Sequence, residues 1–170
     1  MIFGALTYRG LVPSKALVYV SDLLDQWEPR PRSITGAVYA DMPQTIIGPE
    51  VKKLLPRGAM WQDDPATIHW SRVALKAGNE TFPRRVPHET QGKKMADVWP
   101  IENVWAIVKE DVKSADPQTK AQLKSAINRA WERIDNDKSM CRRLIESIPR
   151  RLRAVLQKEG GQVTKEDYAT

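Results

Sequence analysis

Two carboxylates occupy the positions where chemistry is easiest to build. Asp63 closes a short apolar run, Gly58 to Gln62, that reads as a β-strand ending in the acidic pair Asp63-Asp64 just ahead of Pro65. A carboxylate at a strand end can project from the sheet into a site. Glu102 is the second acid. Pro100 is well placed as a first helical residue, and Ile101, Val104, Trp105, Val108 and Val112 then recur on one apolar face. That leaves Glu102 in the first turn, on a face shared with Ala106 and Lys109. Two such acids can hold a hard divalent ion such as Mg²⁺, which prefers carboxylate oxygens and retained waters. In phosphoryl transfer, a pair of ions about 3.5 to 4 Å apart activates the attacking hydroxyl and stabilises the leaving oxygen.

Each of these residues also has an ordinary structural reading. An Asp near a proline forms turns, and a Glu in a first helical turn complements the helix dipole. Asp64 can stand in for Asp63, because only one of two consecutive strand-end carboxylates points into a given site. His69 is a candidate site neighbour and equally a helix-start or packing residue. Trp99 and Trp105 bracket Glu102 and either wall a site or pack the core, the commoner fate of aromatics. Arg142, Arg143, Arg150, Arg151 and Arg153 form a basic cluster able to meet DNA phosphates, although a solvated helix face has the same composition.

The elements that must position these groups change character along the chain. Met1 to Leu6 and Lys15 to Val20 are β-prone runs flanking Gly10 and Pro13, and they predict adjacent antiparallel strands. Residues 26 to 33 read as a loop, and Ile34 to Leu55 shows helical periodicity interrupted by Pro43 and Gly48-Pro49. Residues 69 to 77 read as a helix and Phe82 to Val86 as a short strand. After the helix at 101, Asp116-Pro117 predicts a second start, with Asp as N-cap and Pro at the first helical position. A third apolar stripe runs from Met140 to Leu156, with a break expected at Pro149 and an end at Gly160-Gly161. Strands first and helices last predict an α/β fold with a helical tail.

Composition narrows the chemistry further. The 170 residues carry 27 Lys and Arg against 21 Asp and Glu, and residues 113 to 170 hold 13 of the former and 8 of the latter. The last third is therefore the basic part. Cys141 is the only cysteine, which excludes an internal disulfide, and with His69 and His88 the only histidines a structural zinc site is not expected. Any metal would rest mainly on carboxylates. No run approaches the roughly 18 apolar residues of a membrane helix, so a membrane is not an expected partner. Nothing matches a phosphate-binding glycine loop, a Ser/His/Asp arrangement or a Cys/His nucleophile.

Four segments, in order, carry a family resemblance. WPIENVWAIVKEDV at 99 to 112 resembles the NPIENLW segment of Tc1/mariner-type transposases, and MCRRLIESIPRRLRAVLQKEGG at 140 to 161 resembles the ending of that family's catalytic domain. FGALTYRG at 3 to 10 resembles its strand and glycine turn, and MWQDDPATIH at 60 to 69 its QDN or QDG segment with a downstream histidine.

The resemblance implies an RNase H-like α/β fold, incomplete at its N-terminal side and followed by C-terminal helices. It divides the chain into a partial DDE catalytic core at 1 to 112, a helical part of the same domain at 113 to 161 and a tail at 162 to 170. It further implies Mg²⁺ or Mn²⁺ as cofactor, DNA cleavage and strand transfer as ancestral activity, and Asp63 and Glu102 as metal ligands. The interval between those two acids is close to the family's usual one. His69 and Asp64 become neighbours of the site, and the five arginines DNA contacts. DNA is the expected partner, a second copy of the chain a further one, and the nucleus the expected location. The family's first catalytic aspartate would lie before Met1, and MADVWP at 95 to 100 departs from the usual lead-in to the glutamate. An inactive descendant, or a nucleic-acid-binding or interaction domain without turnover, is the alternative expectation.

Overall fold

The computed structural model describes residues 1–91 and 95–169. In chain order it contains strands β1 (Ile2–Phe3), β2 (Ala5–Thr7), β3 (Gly10–Val12) and β4 (Val18–Tyr19), helices α1 (Val20–Leu24), α2 (Gly36–Asp41) and α3 (Gly48–Leu54), then β5 (Met60–Trp61), α4 (Arg72–Thr81) and β6 (Arg84–Arg85). Four further helices follow: α5 (Ile101–Ala115), α6 (Lys120–Asn136), α7 (Lys138–Glu146) and α8 (Ile148–Gln157). The fold is mixed α/β, with short helices and three two-stranded sheets among the described residues. It divides into two compact units, one of Met1–Gly4 with Val18–Lys93, the other of Ala5–Leu17 with Lys94–Thr170.

In the first unit β1 pairs antiparallel with β4, Ile2 opposite Tyr19 and Phe3 opposite Val18, as the two β-prone runs predict. The run Met1 to Leu6 is nonetheless split, because its second half forms β2 in the other unit. The core of the first unit is built on Val18, Leu23, Val38, Tyr39, Met42 and Ala74, with Phe3 edge-on to the Tyr39 ring. Ile34 to Leu55 is less broken than its prolines suggest. A π-helical stretch, Met42–Ile47, joins α2 to α3, and the Gly48 N–H donates to the Pro43 carbonyl five residues back. The wider turn accommodates Pro43, whose missing N–H and bulky ring disfavour an α-helical interior. Gly48 is required there, since a Cβ would lie 2.4 Å from Thr81 Cγ2 and 2.5 Å from the Pro43 carbonyl oxygen.

β5 and β6 pair in parallel, Met60 opposite Arg84 and Trp61 opposite Arg85, with α4 as the crossover between them. Ser71 caps α4 by accepting from the Ala74 N–H. The expected helix at 69 to 77 is thus a 3₁₀ turn, Thr67–Trp70, followed by α4. Trp61 stacks on Phe82 with ring centroids 4.4 Å apart, which closes the crossover onto its own strand.

In the second unit the β2–β3 hairpin packs on α6 and α7, and α5 packs on α6. Trp131 of α6 is fully buried, stacks on Trp105 at 5.5 Å and donates through Nε1 to the Pro13 carbonyl at 2.6 Å. Asp135, also buried, accepts from the Leu11 N–H at 2.7 Å and from Lys138 Nζ at 2.6 Å. These two residues fix the hairpin to the helix.

The expected helix start at Asp116-Pro117 is corrected. Asp116 ends α5 in the left-handed conformation, φ 42°, and α6 begins three residues later with Thr119 as N-cap. Thr119 and Gln122 form a capping box that satisfies two backbone donors reciprocally, whereas an Asp116 cap would satisfy one. The break expected at Pro149 is present: α7 ends at Glu146, and Pro149 sits in the first turn of α8, where its missing N–H costs nothing.

Candidate functional site

Asp63 lies two residues beyond the end of β5 and is 5% exposed. Its carboxylate is fully engaged. Oδ1 accepts from the Tyr39 hydroxyl and from Trp61 Nε1, the latter at 2.6 Å, and Oδ2 accepts from Arg85 Nη2. The parallel return through α4 accounts for the arrangement, because Arg85 stands opposite Trp61 in the register and Asp63 lies two residues beyond. The Arg85 side chain is 7% exposed, with its guanidinium 4.6 Å from the centre of the Trp70 ring and Nη2 also donating to the His69 carbonyl. Its Nε and Nη1 are buried without a hydrogen-bond partner among the described residues. Asp63 is therefore the counter-charge that makes this buried guanidinium tolerable.

Asp64 and His69 join the same cluster from its outer side. His69 Nδ1 lies 2.5 Å from Asp64 Oδ1, and its ring stacks on Tyr39 at 4.0 Å. The histidine is 11% exposed at its side chain and Asp64 65%. Burial works against the imidazolium, but the Asp64 hydrogen bond, and the charges of Asp64 and Asp63, outweigh it and raise the His69 pKa above its ordinary value. The Tyr39 hydroxyl is held far above the normal phenol range by burial first and by Asp63 second. It stays a donor.

Glu102 belongs to the other unit, exposed in the first turn of α5 as its position in the apolar pattern predicts. Trp99 packs against the buried cluster of Val98, Ala154 and Val163, and Trp105 against Trp131. Both are packing residues. The expectation of Mg²⁺ or Mn²⁺ held by Asp63 and Glu102 is corrected: among the described residues no group of three or more His, Cys, Asp or Glu side chains is placed to hold a metal ion. The physical reason lies at Asp63, whose two oxygens already receive three donors, one of them a cation. Arg85, Tyr39, Trp61 and Trp70 are the members of this cluster that sequence reasoning did not single out.

The basic cluster is sorted by the helices that carry it. Arg142 and Arg143 on α7 and Arg150 and Arg153 on α8 are exposed, whereas Arg151 is 4% exposed. Arg151 donates to Ser147 Oγ at 2.8 Å, to Asn103 Oδ1 at 2.7 Å and to the Asp97 carbonyl, and its guanidinium lies over the Tyr168 ring. It pins α8 to the start of α5 instead of facing solvent. Arg142 pairs with Glu146 at 3.0 Å and stacks on Tyr8, and Arg143 donates to Ser139 Oγ. Residues 138 to 157 hold six basic side chains against the single acid Glu146, and all but Arg151 are exposed, with Lys138 paired to Asp135 and Arg142 to Glu146.

No family model matches the chain, and no curated protein matches it.

Proposed function

We propose that the chain is a transposase-derived domain of RNase H-like ancestry that binds DNA through α7 and α8 and does not cut it. The observation that carries the reading is the placement of Arg142, Arg143, Arg150 and Arg153 on the exposed side of two consecutive helices whose opposite side is buried. Four outward guanidiniums suit phosphate contacts, since each offers a planar fork of donors and releases a condensed counterion when it binds. The ancestry is supported by the order of the four resembling segments and by the parallel β5–α4–β6 crossover that presents Asp63 at a strand end. The Asp63–Arg85 pair supports the absence of cleavage, because a carboxylate neutralised by an arginine is a poor ligand for a dication. A protein acting on chromosomal DNA in this way would work in the nucleus.

The test is binding of purified protein to a labelled DNA of mixed sequence in EDTA, alongside incubation of supercoiled plasmid in Mn²⁺. Salt-sensitive binding in EDTA, weakened by Arg150→Gln and Arg153→Gln, with no nicking of the plasmid is the expected result. Nicking lost in both Asp63→Asn and Glu102→Gln would overturn the reading.

A further inference from the structure

The tip of the β2–β3 hairpin carries two side chains that the reading above does not use. Tyr8 and Arg9 are both exposed there, Tyr8 at 38% of its surface, on a turn fixed from three directions. Thr7 Oγ1 donates to the Gly10 carbonyl at 2.8 Å and accepts from the Arg9 N–H at 3.1 Å, and the Leu11 N–H is held by Asp135. Gly10 has φ 141°, a conformation that suits glycine, and a Cβ there would collide with Asp135 Oδ1 and Lys138 Nζ at 2.5 Å. The hairpin cannot shift without breaking these contacts. It lies against α7, and Arg142 of that helix rests its guanidinium 4.9 Å from the centre of the Tyr8 ring. The exposed aromatic is thereby held by the same arginine that opens the basic face.

An exposed tyrosine on a rigid support presents a pre-ordered aromatic ring, and the base of a nucleotide is a planar surface able to stack on it. Single-stranded nucleic acid is bound in this way, with bases stacked on aromatic rings and phosphates drawn to adjacent cations. Paired bases inside a duplex present no free face to such a ring. We infer that Tyr8, backed by Arg142 and flanked by Arg9, is a base-stacking platform, so that the basic face of α7 and α8 takes single-stranded DNA through an unpaired base as well as through its phosphates. The inference rests on the proposed nucleic-acid reading of those helices and adds the strand state that they select.

The experiment compares three labelled ligands of equal length in EDTA: oligo(dT), an abasic strand with the same phosphates, and a duplex. Wild-type protein binds oligo(dT) more tightly than the abasic strand, and Tyr8→Ala erases that difference with a loss of roughly 5- to 150-fold on oligo(dT), the range for one stacked base. Tyr8→Phe keeps the ring and keeps the discrimination. An unchanged thermal transition in Tyr8→Ala excludes misfolding as the cause. If wild-type protein binds the base-bearing and abasic strands equally, or if Tyr8→Ala still discriminates between them, the platform is overturned while phosphate binding stands. If wild-type protein binds none of the three, the nucleic-acid reading falls with it.

Discussion

Asp63 shows how one carboxylate can satisfy a catalytic pattern and serve a structural purpose. Its two oxygens are divided among Tyr39, Trp61 and Arg85, and Arg85 keeps two further buried nitrogens without partners. Asp63→Asn removes the counter-charge and leaves a buried cation, so it is expected to cost about 3–5 kcal/mol in urea unfolding. A metal ligand crowded by other carboxylates would gain stability from the same change. His69 makes a second prediction at this scale. Its folded pKa is raised, so its contribution to stability is fully present below its unfolded pKa and is lost as pH rises through the folded value. Unfolding free energy followed upward from about pH 6 should decline over that window, and Asp64→Asn should reduce the decline. An unchanged profile in the variant would remove Asp64 as the cause. Asp63, Asp64 and His69 were legible as one neighbourhood from their spacing. Arg85 and Tyr39 were not, because their roles depend on a parallel crossover and on core packing that bring residues 22 and 24 positions away onto one carboxylate.

Among the elements, α5 to α8 are legible because their apolar residues recur at helical spacing and their ends carry proline, glycine or capping side chains. The misplaced start of α6 comes from two competing local signals, Asp116-Pro117 and the Thr119 to Gln122 box. The second wins because it satisfies two backbone donors and leaves Asp116 free to close α5. Thr119→Ala is expected to cost about 0.5–2 kcal/mol, whereas Asp116→Gly, which suits the left-handed backbone there, loses no N-cap; thermal unfolding of the pair checks the assignment. The strands are too short for alternation to specify their partners, so neither the split of Met1 to Leu6 between two sheets nor the fixing of β3 by Asp135 could be read from sequence. Asp135→Ala leaves the buried Leu11 N–H unpaired and is expected to destabilise by about 1–3 kcal/mol. Faster hydrogen exchange at the Leu11 amide would show that the loss is local.

Across the whole chain the decisive quantity is where the positive charge goes. Composition places the surplus in the last third, but it does not separate outward from inward arginines. Leu144, Ser147, Arg151 and Ala154 follow one another at helical spacing on the side turned from solvent, which places Arg151 in the packed row and leaves Arg142, Arg143, Arg150 and Arg153 outside it. Arg151→Gln should therefore lower stability by removing hydrogen bonds to Ser147 and Asn103, while Arg153→Gln, on the exposed side of α8, should leave the melting temperature nearly unchanged. The central claim is that the outer four meet phosphates without a metal ion. The most direct measurement is the DNA dissociation constant in EDTA from about 50 to 200 mM salt, for wild-type protein and for the Arg150→Gln/Arg153→Gln double variant. Affinity that rises as salt falls, with a log–log slope shallower by about two in the double variant, is the predicted result. Absence of binding by the folded wild-type protein, or an identical slope in both proteins, would contradict it.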